Sequence, residues 1–407
     1  MINKNDLNEY FFKGIKPIQN LKIGVEHEKF ILNKNTLKPL SYDEDNGIKN
    51  ILERWSTEGW TPLYDDKQIT IVALSRDRES ITLEPGGQLE LSGAPLDNIH
   101  ETCEETTKHL HDLKKLGKEF NFILLGMGVE PNLTIDDFPW MPKQRYKIMK
   151  KYMQQVGKLG HHMMKRTCTN QVNIDYSSEQ DMVNKLRTML NLEAIATAIF
   201  SNSPFDEGRV SKYKSLRSHF WHHTDTKRTG LLPFVFDKGF NFERYTDYAL
   251  NVPMYFIKRD HKYIDMTNYT FKDYFEGKCN NLNHEITLQD WEDHLTTLFP
   301  QARLKQYLEI RSMDACSWNL ICSQPAFWVG ILYDDQIMDK VSEITQGWTE
   351  EDRQYLNKRV PEEGLQTKFK QKKLIEFAQI FYELAKKGLI KRNRLSKNGE
   401  FNESIHM

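Results

Sequence analysis

Two glutamates stand one residue apart in the stretch "GVEHEKF" (24–30), directly after an apolar start. Alternate side chains of an extended chain point to the same face, so Glu26 and Glu28 are predicted to lie side by side. Carboxylates that close repel each other unless a cation or a proton neutralises them. Hard divalent cations prefer oxygen ligands, so this stretch predicts one side of a Mg²⁺ site.

Three other stretches alternate between a polar and an apolar face in the same way. Gln88 and Glu90 share a face in "QLELSG", and Glu309 and Arg311 share a face in "LEIRSM". The stretch "TNQVNIDY" places four polar residues on one face: Thr169, Gln171, Asn173 and Asp175. A sheet with one solvated face has the same pattern. The abundance of Glu, Gln and Asn favours a binding site instead.

The turn "LEPGG" adds Glu84 just before the strand that carries Glu90, and its glycines would let the backbone approach a ligand. If these strands join one sheet, five carboxylates converge: Glu26, Glu28, Glu84, Glu90 and Glu309. They cannot all stay ionised without cations. Mg²⁺ commonly bridges carboxylates to substrate phosphates, and Arg311 is predicted to clamp a phosphate. The set therefore predicts ATP as co-substrate, although the P-loop pattern GxxxxGK[ST] is absent.

A basic segment, "KYKSLRSHFW" (212–221), is predicted to form a loop. It is either a solvated surface or an anion receptor in which Arg217 binds a substrate carboxylate through two hydrogen bonds. The histidine pairs at 161–162 and 222–223 have no cysteine partners at zinc-ligand spacing. Cys168 has no base nearby in sequence, so we predict a buried thiol there.

Composition narrows the class of protein. The 407 residues carry 56 basic and 57 acidic side chains, a net charge of −1, which argues against a nucleic-acid or anionic-membrane surface. The first residues lack a hydrophobic signal core, and no apolar run is long enough to span a bilayer. Five irregularly spaced cysteines predict a reducing cytoplasm with mostly buried or free thiols.

No linker-like segment divides the chain, so a single domain over residues 1–407 is predicted. Periodicity predicts strands at 22–32, 122–131, 167–176 and 305–313. It predicts helices at 97–119 (with Asp97 as N-cap), 143–157, 179–200 and 366–389. Because these elements do not alternate regularly, the fold class is α+β with a mostly antiparallel sheet.

Several long stretches, in order along the chain, carry a family resemblance. They include "GVEHEKF" (24–30), "LEPGGQLELSGAP" (83–95), "MMKRTCTNQVNIDYSSEQDMVNKLR" (163–187), "SLRSHFW" (215–221) and "WEDHLTTLFPQARLKQYLEIRSMD" (291–314). Together they resemble the plant-type glutamate–cysteine ligases of plants and many bacteria. The resemblance implies a glutamine synthetase-like fold, a curved, mostly antiparallel sheet with flanking helices.

The resemblance also implies a reaction. ATP would phosphorylate the γ-carboxylate of L-glutamate, and L-cysteine would displace phosphate to give γ-glutamylcysteine, the first step of glutathione biosynthesis. Two or three Mg²⁺ ions, a cytoplasmic location and a monomer or homodimer are expected. The alternatives are another carboxylate–amine ligase of the same fold, a guanidino kinase on a related sheet, or a non-catalytic ATP sensor.

Roles follow for individual residues. The implied metal-site residues are Glu26, Glu28, Glu84, Glu90, Gln171 and Glu309. Arg311 and Arg166 match nucleotide or phosphoryl contacts, which makes them the expected catalytic residues. The expected substrate-binding residues are Arg217, Trp221 and Asn173.

Overall fold

A computed structural model describes residues 2–65, 69–279, 282 and 284–407. Its centre is a nine-stranded sheet in the order β14-β15-β7-β1-β5-β4-β3-β2, with β6 pairing the second half of β1. Every pairing within this sheet is antiparallel. The predicted α+β class with an antiparallel sheet is therefore confirmed.

The nine strands of this sheet are β1 (Ile23–Asn33), β2 (Thr61–Tyr64), β3 (Ile71–Arg76), β4 (Glu79–Leu83), β5 (Leu89–Ser92), β6 (Phe122–Leu125), β7 (Asn170–Ile174), β14 (Ala302–Leu304) and β15 (Leu308–Ile310). Four two-stranded pairs lie outside it: β8 (Phe205–Asp206) with β9 (Arg209–Val210), β10 (Thr229–Gly230) with β13 (Phe299–Pro300), β11 (Phe256–Arg259) with β12 (Lys262–Asp265), and β16 (Lys368–Phe369) with β17 (Lys372–Lys373).

The α-helices of the described residues are α1 (Lys4–Phe12), α2 (Ile48–Ser56), α3 (Ile99–Glu119), α4 (Gln144–Val156), α5 (Gly160–Arg166), α6 (Glu179–Ile199), α7 (Leu216–His222), α8 (Phe242–Asn251), α9 (Phe271–Phe275), α10 (Leu288–Thr296), α11 (Ser323–Leu332), α12 (Asp335–Thr345), α13 (Glu350–Glu363) and α14 (Leu374–Arg392).

The apolar face of the sheet packs against the helices. Val25, Val172 and Ile310 belong to one buried cluster with Leu186 and Leu190 of α6. Burial of these side chains fixes which face of each strand points inward, because a shift of one residue would move every side chain to the other face. The opposite face of the same strands is thereby left for the polar residues.

Some element boundaries differ from the predicted ones. Helix α3 begins at Ile99, because the Asn98 side chain, rather than Asp97, accepts the Glu101 N–H. Only Leu308–Ile310 of the segment 305–313 is a strand. In the predicted helix 366–389, the β16–β17 pair comes first and α14 starts at Leu374.

The basic segment 212–221 is also not a loop throughout. Residues Leu216–His222 form α7, whose N-terminus is capped by Ser215 accepting the Ser218 N–H. Arg217 and Trp221 consequently lie four residues apart on a helix, where side chains face the same side.

Most of the cysteines are free and buried, as predicted: Cys168, Cys279 and Cys316. The exception is a disulfide between Cys103 and Cys322, which are 219 residues apart in sequence. Among the described residues, no helix combines the length and apolar character that crossing a bilayer requires.

Candidate active site

A cavity of about 390 Å³ opens on the polar face of the central strands. Nine of the eleven residues singled out from the sequence line it: Glu26, Glu28, Glu84, Glu90, Gln171, Arg217, Trp221, Glu309 and Arg311. The four polar-faced stretches thus meet in one place, although more than 280 residues separate the first from the last.

Strand register explains this convergence. Glu28 on β1 stands directly opposite Glu90 on β5, and Thr82 on β4 stands opposite Glu90. On the other side of β1, Glu26 stands opposite Gln171 of β7. Directly opposed residues on one face of an antiparallel pair have Cβ atoms about 5 Å apart, so the carboxylates become neighbours.

Two of these carboxyl groups resist ionisation. Burial, followed by repulsion from Glu84, raises the pKa of Glu28 to about 8, although the Thr169 N–H donates to it at 3.0 Å. Burial and the charges of Glu26, Glu84 and Glu28 raise the pKa of Glu90 well above its usual range. The Thr82 hydroxyl donates to Glu90 at 2.7 Å and opposes that rise.

Glu26 is held by an amide rather than by a cation. The Asn173 side-chain amide donates to Glu26 at 2.8 Å. Asn173 itself does not line the cavity, so it contacts the candidate metal site only through Glu26.

The turn that carries Glu84 is fixed by two hydrogen bonds between backbone groups of Glu84, Gly87 and Gln88. Gly87 has φ +88°, which favours glycine. At Gly86 the close approach is to another part of the chain, because a Cβ there would lie 2.8 Å from Lys165 Cα. Gly86 thus serves packing between the turn and α5, which differs from the ligand approach predicted for it.

Glu309 differs from the other four carboxylates because it is already paired. Arg303 contacts both of its oxygens, at 2.9 and 2.5 Å, and Arg311 lies 3.1 Å away. Burial alone would raise its pKa, but Arg303, Lys305 and Arg311 together hold the pKa well below the usual range. This arrangement does not favour the metal-ligand role expected for Glu309; its oxygens instead hold arginines in place.

Arg311 and Arg217 form the cationic side of the cavity with Trp221. Arg311 donates to the Gln171 side-chain oxygen and to Glu309, which fixes its guanidinium. Arg217 donates to the Arg311 backbone oxygen at 2.9 Å, and its Nε has no protein partner among the described residues. Both guanidinium groups lie within 6 Å of the Trp221 ring, at 5.6 and 5.7 Å.

Arg166 is the one expected catalytic residue that lies elsewhere. Its side chain is fully buried outside the cavity lining. It pairs with Asp206 at 2.8 Å and contacts His162 at 3.1 Å. Since Arg166 ends helix α5, its direction is set by the helix and not by the strand alternation that follows it. The geometry therefore does not support a direct phosphoryl contact in this conformation.

Comparisons with known proteins identify the family. The model of glutamate–cysteine ligase family 2 matches residues 22–407. The chain is 49% identical over 393 residues to chloroplastic glutamate–cysteine ligase B of Oryza sativa subsp. japonica, covering 96% of this chain and 78% of that protein. It is 47% identical to the chloroplastic ligase of Solanum lycopersicum, covering 99% of this chain and 76% of that protein. The chain belongs to the glutamate–cysteine ligase family.

A solved structure supports the same fold for this family member. The glutamate–cysteine ligase from Francisella tularensis, in complex with AMP, superposes with a TM-score of 0.53. The alignment covers 96% of this chain and 82% of that one, at 14% identity. At that identity the likeness concerns the fold alone.

Family membership confirms the resemblance seen in the sequence, and it confirms the enzyme class, a ligase. It contradicts the predicted cytoplasmic location, because the relatives are named as chloroplastic proteins, those of rice and tomato as well as that of Arabidopsis thaliana. Neither the composition nor the first residues of the chain had suggested a resemblance to chloroplastic proteins.

Further residues of the cavity were missed in the sequence. They are cationic or phenolic groups in its lining: Arg145, Arg303, Lys305 and Tyr307. Arg303 stands opposite Glu309 in the β14–β15 register, so alternation in "ARLK" could have found it and Lys305. Arg145 lies on α4, where no strand pattern applies, and its Nε has no protein partner among the described residues.

Replacing Glu28 and replacing Glu309 in this cavity are expected to change the stability of the protein in opposite directions. Because the pKa of Glu28 is raised from 4.5 to about 8, its stabilising contribution is complete below about pH 4.5 and is lost as pH rises through 8. The side chain of Glu28→Gln cannot ionise. Without divalent cations, the urea concentration at the midpoint of unfolding should therefore increase for this variant, relative to that of the wild type, as the pH rises from 5 to 8.

Glu309→Gln is the matched control in the same cavity. The pKa of Glu309 is lowered, so its contribution is present at neutral pH, and removing the charge should destabilise the protein there. Equal responses of the two variants at pH 8 would contradict the electrostatic contrast between the two carboxylates.

Proposed function

We propose that this chain forms γ-glutamylcysteine from L-glutamate, L-cysteine and ATP. ATP transfers its γ-phosphoryl group to the side-chain carboxylate of glutamate, and ADP leaves. The cysteine amine then attacks the acyl phosphate, loses a proton and expels inorganic phosphate. The observation that carries this proposal is one cavity lined both by a cluster of arginines and by four carboxylates that form no ion pair with any described residue. The names of the relatives point to the same reaction.

Glu26, Glu28, Glu84 and Glu90 suit Mg²⁺. All four offer oxygen ligands. Burial, followed by repulsion from neighbouring carboxylates, raises the pKa of Glu28 and of Glu90, so a divalent cation beside them would favour their ionised forms. Among the described residues, no three carboxylates bring an oxygen each within 4.8 Å of one another. That spacing favours two or three ions shared with substrate phosphates over one ion caged by protein. Bound there, Mg²⁺ would neutralise the phosphate charge of ATP.

Arg311 is proposed to stabilise the phosphoryl group during transfer. Phosphoryl transfer requires positioning and charge neutralisation more than covalent help. Gln171 and Glu309 hold the Arg311 guanidinium at the cavity wall, and Arg145 and Lys305 add positive charge to the cavity lining. In this account Glu309 and Gln171 are positioning residues for Arg311.

Arg217 and Trp221 are proposed to bind the substrate glutamate. Arg217 is almost fully buried, lines the cavity and lies against the Trp221 ring. Its Nε has no hydrogen-bond partner among the described residues. A buried guanidinium with a free donor recognises a carboxylate strongly, because the unpaired donor would otherwise be costly.

The whole chain is proposed to act as one domain. Strands of the central sheet come from positions between Ile23 and Ile310, and α14 packs on α11 beneath that sheet. A cut at any loop within this span would separate paired strands. A monomer or a homodimer remains the expectation for its assembly.

The direct test is release of ADP by the purified full chain with glutamate, cysteine, ATP and Mg²⁺. ADP should form at the rate of γ-glutamylcysteine and depend on all four components. A panel of other amine acceptors separates cysteine ligation from a related carboxylate–amine ligase, and guanidino acceptors address the kinase alternative. ATP binding with no ADP under any mixture would leave the sensor alternative standing and refute the proposal.

Loss of one carboxylate should abolish turnover without unfolding the protein. Glu26→Gln and Glu28→Gln are each expected to lower kcat by orders of magnitude, because each removes a proposed metal ligand. Thermal stability should be similar or higher, since repulsion is relieved. Glu193→Gln is the control. Glu193 is also a buried carboxyl group, but it does not line the cavity, and it accepts a hydrogen bond from Asn357. Wild-type turnover in either cavity variant would remove that residue from the proposed site.

Replacing Arg217 by lysine tests the glutamate pocket. Lysine keeps the charge but loses the planar pair of donors, so KM for glutamate should rise about 10- to 100-fold while KM for ATP changes little. Arg54→Lys, on the surface beside Glu58 and Glu119, serves as the control with unchanged constants. A Michaelis constant for glutamate that stays constant in Arg217→Lys would place the substrate carboxylate elsewhere.

A further inference from the structure

A cluster of sulfur and imidazole groups lies far from the cavity, where three separate elements meet. Cys103 is on α3, Cys322 caps the N-terminus of α11, and His406 belongs to the short 3₁₀ helix Glu403–His406. One ligand atom from each lies within 4.8 Å of the other two. All three side chains are half-buried, so solvent reaches the group.

We propose that, once the Cys103–Cys322 disulfide is reduced, its two sulfurs and the Nδ1 atom of His406 bind a zinc ion. Two cysteines and one histidine are a common zinc ligand set, with water completing the tetrahedron. None of these residues lines the proposed active site.

The imidazole of His406 is placed between the cysteine pair and a second histidine. His406 Nδ1 lies 3.5 Å from Cys103 Sγ, and His406 Nε2 lies 3.0 Å from His100 Nδ1. If Nδ1 binds metal, the proton resides on Nε2 and is donated to His100. A second residue that accepts the far N–H of a ligating histidine is the usual support for such sites.

Cys103 and His406 are also held together by contacts other than the disulfide. His100 and Cys103 are three residues apart on α3, so they share one face of the helix. Glu403 is fully buried, accepts the Ile99 N–H at 2.8 Å and pairs with Arg392 at 2.6 Å. These bonds fix the 3₁₀ helix carrying His406 onto the start of α3.

The backbone geometry allows the cysteine pair either to form the disulfide or to bind zinc. Their Cα atoms are 5.8 Å apart. Two sulfurs on one tetrahedral zinc, each about 2.3 Å from the metal, lie about 3.8 Å apart. Side-chain rotation can provide that separation without movement of α3 against α11. The disulfide and the metal use the same sulfurs and therefore exclude each other.

Reduction of the disulfide and binding of zinc are two separate steps. A dithiol reductant gives two electrons and two protons to the disulfide, which becomes two thiols while the reductant becomes a disulfide. Zinc then binds both sulfurs as thiolates and two protons pass to solvent. No change of zinc oxidation state is involved.

Cobalt(II) is the probe for this site, because thiolate–cobalt charge-transfer absorption reports sulfur ligation directly. The full chain, reduced and freed of reductant without oxygen, is titrated with Co²⁺ in excess Mg²⁺, which blocks the carboxylate cavity. We expect a near-ultraviolet thiolate band that saturates at about one equivalent and disappears on addition of Zn²⁺. The oxidised chain should show no such band.

Variants assign the ligands. Cys322→Ser should lose the charge-transfer band, and His406→Ala, which leaves both sulfurs intact, should weaken binding and change the visible cobalt spectrum. His100→Ala should lower affinity about 10- to 100-fold with the band retained. Cys279→Ser, at a free thiol elsewhere, is the control with an unchanged titration. Absence of the band in the reduced wild type, or an identical band in Cys322→Ser, would overturn the proposal; neither result depends on catalytic activity.

Discussion

The cavity depends on four carboxylates that line one space and form no ion pair with any described residue. Strand register brings together Glu26, Glu28 and Glu90, and the turn before β5 adds Glu84. Burial and mutual repulsion raise the pKa of Glu28 and of Glu90. Glu309 shows what pairing does in the same cavity, because three cations hold its pKa low. The cavity therefore has one side where the carboxylates form no ion pair with the described residues, and another side where the carboxylate of Glu309 is neutralised by cationic side chains.

The central position of β1 makes this arrangement possible. Its first half pairs with β5 on one side and with β7 on the other. Glu28 therefore lies opposite Glu90 of β5, and Glu26 lies opposite Gln171 of β7. Its apolar residues, such as Val25, are buried against α6 on the opposite face. His27 also points there, contacting the His109 ring at 5.2 Å, as alternation predicts. Packing on one face therefore sets the chemistry of the other.

Alternation along strands predicted the part of the site that strands carry. Alternate side chains of a strand face the same side, so the strand pattern correctly placed five residues in the cavity: Glu26, Glu28, Glu90, Gln171 and Arg311. Groups placed by helices or by distant contacts were harder to predict. Arg145 lies on α4, Arg166 turns away at the end of α5, and Cys103 meets Cys322 only through the packing of α3 against α11. The sequence contains no local pattern that reports such contacts.

The central claim is that divalent cations replace protons on the buried carboxylates, and proton release on Mg²⁺ binding measures this most directly. Calorimetric titration of the chain with Mg²⁺ at pH 7, in buffers of different ionisation enthalpy, gives the number of protons released. Because the pKa of Glu28 is about 8, the account predicts net release, reduced in Glu28→Gln and unchanged in Glu193→Gln. Binding of Mg²⁺ without proton release, or with equal release from Glu28→Gln, would contradict it.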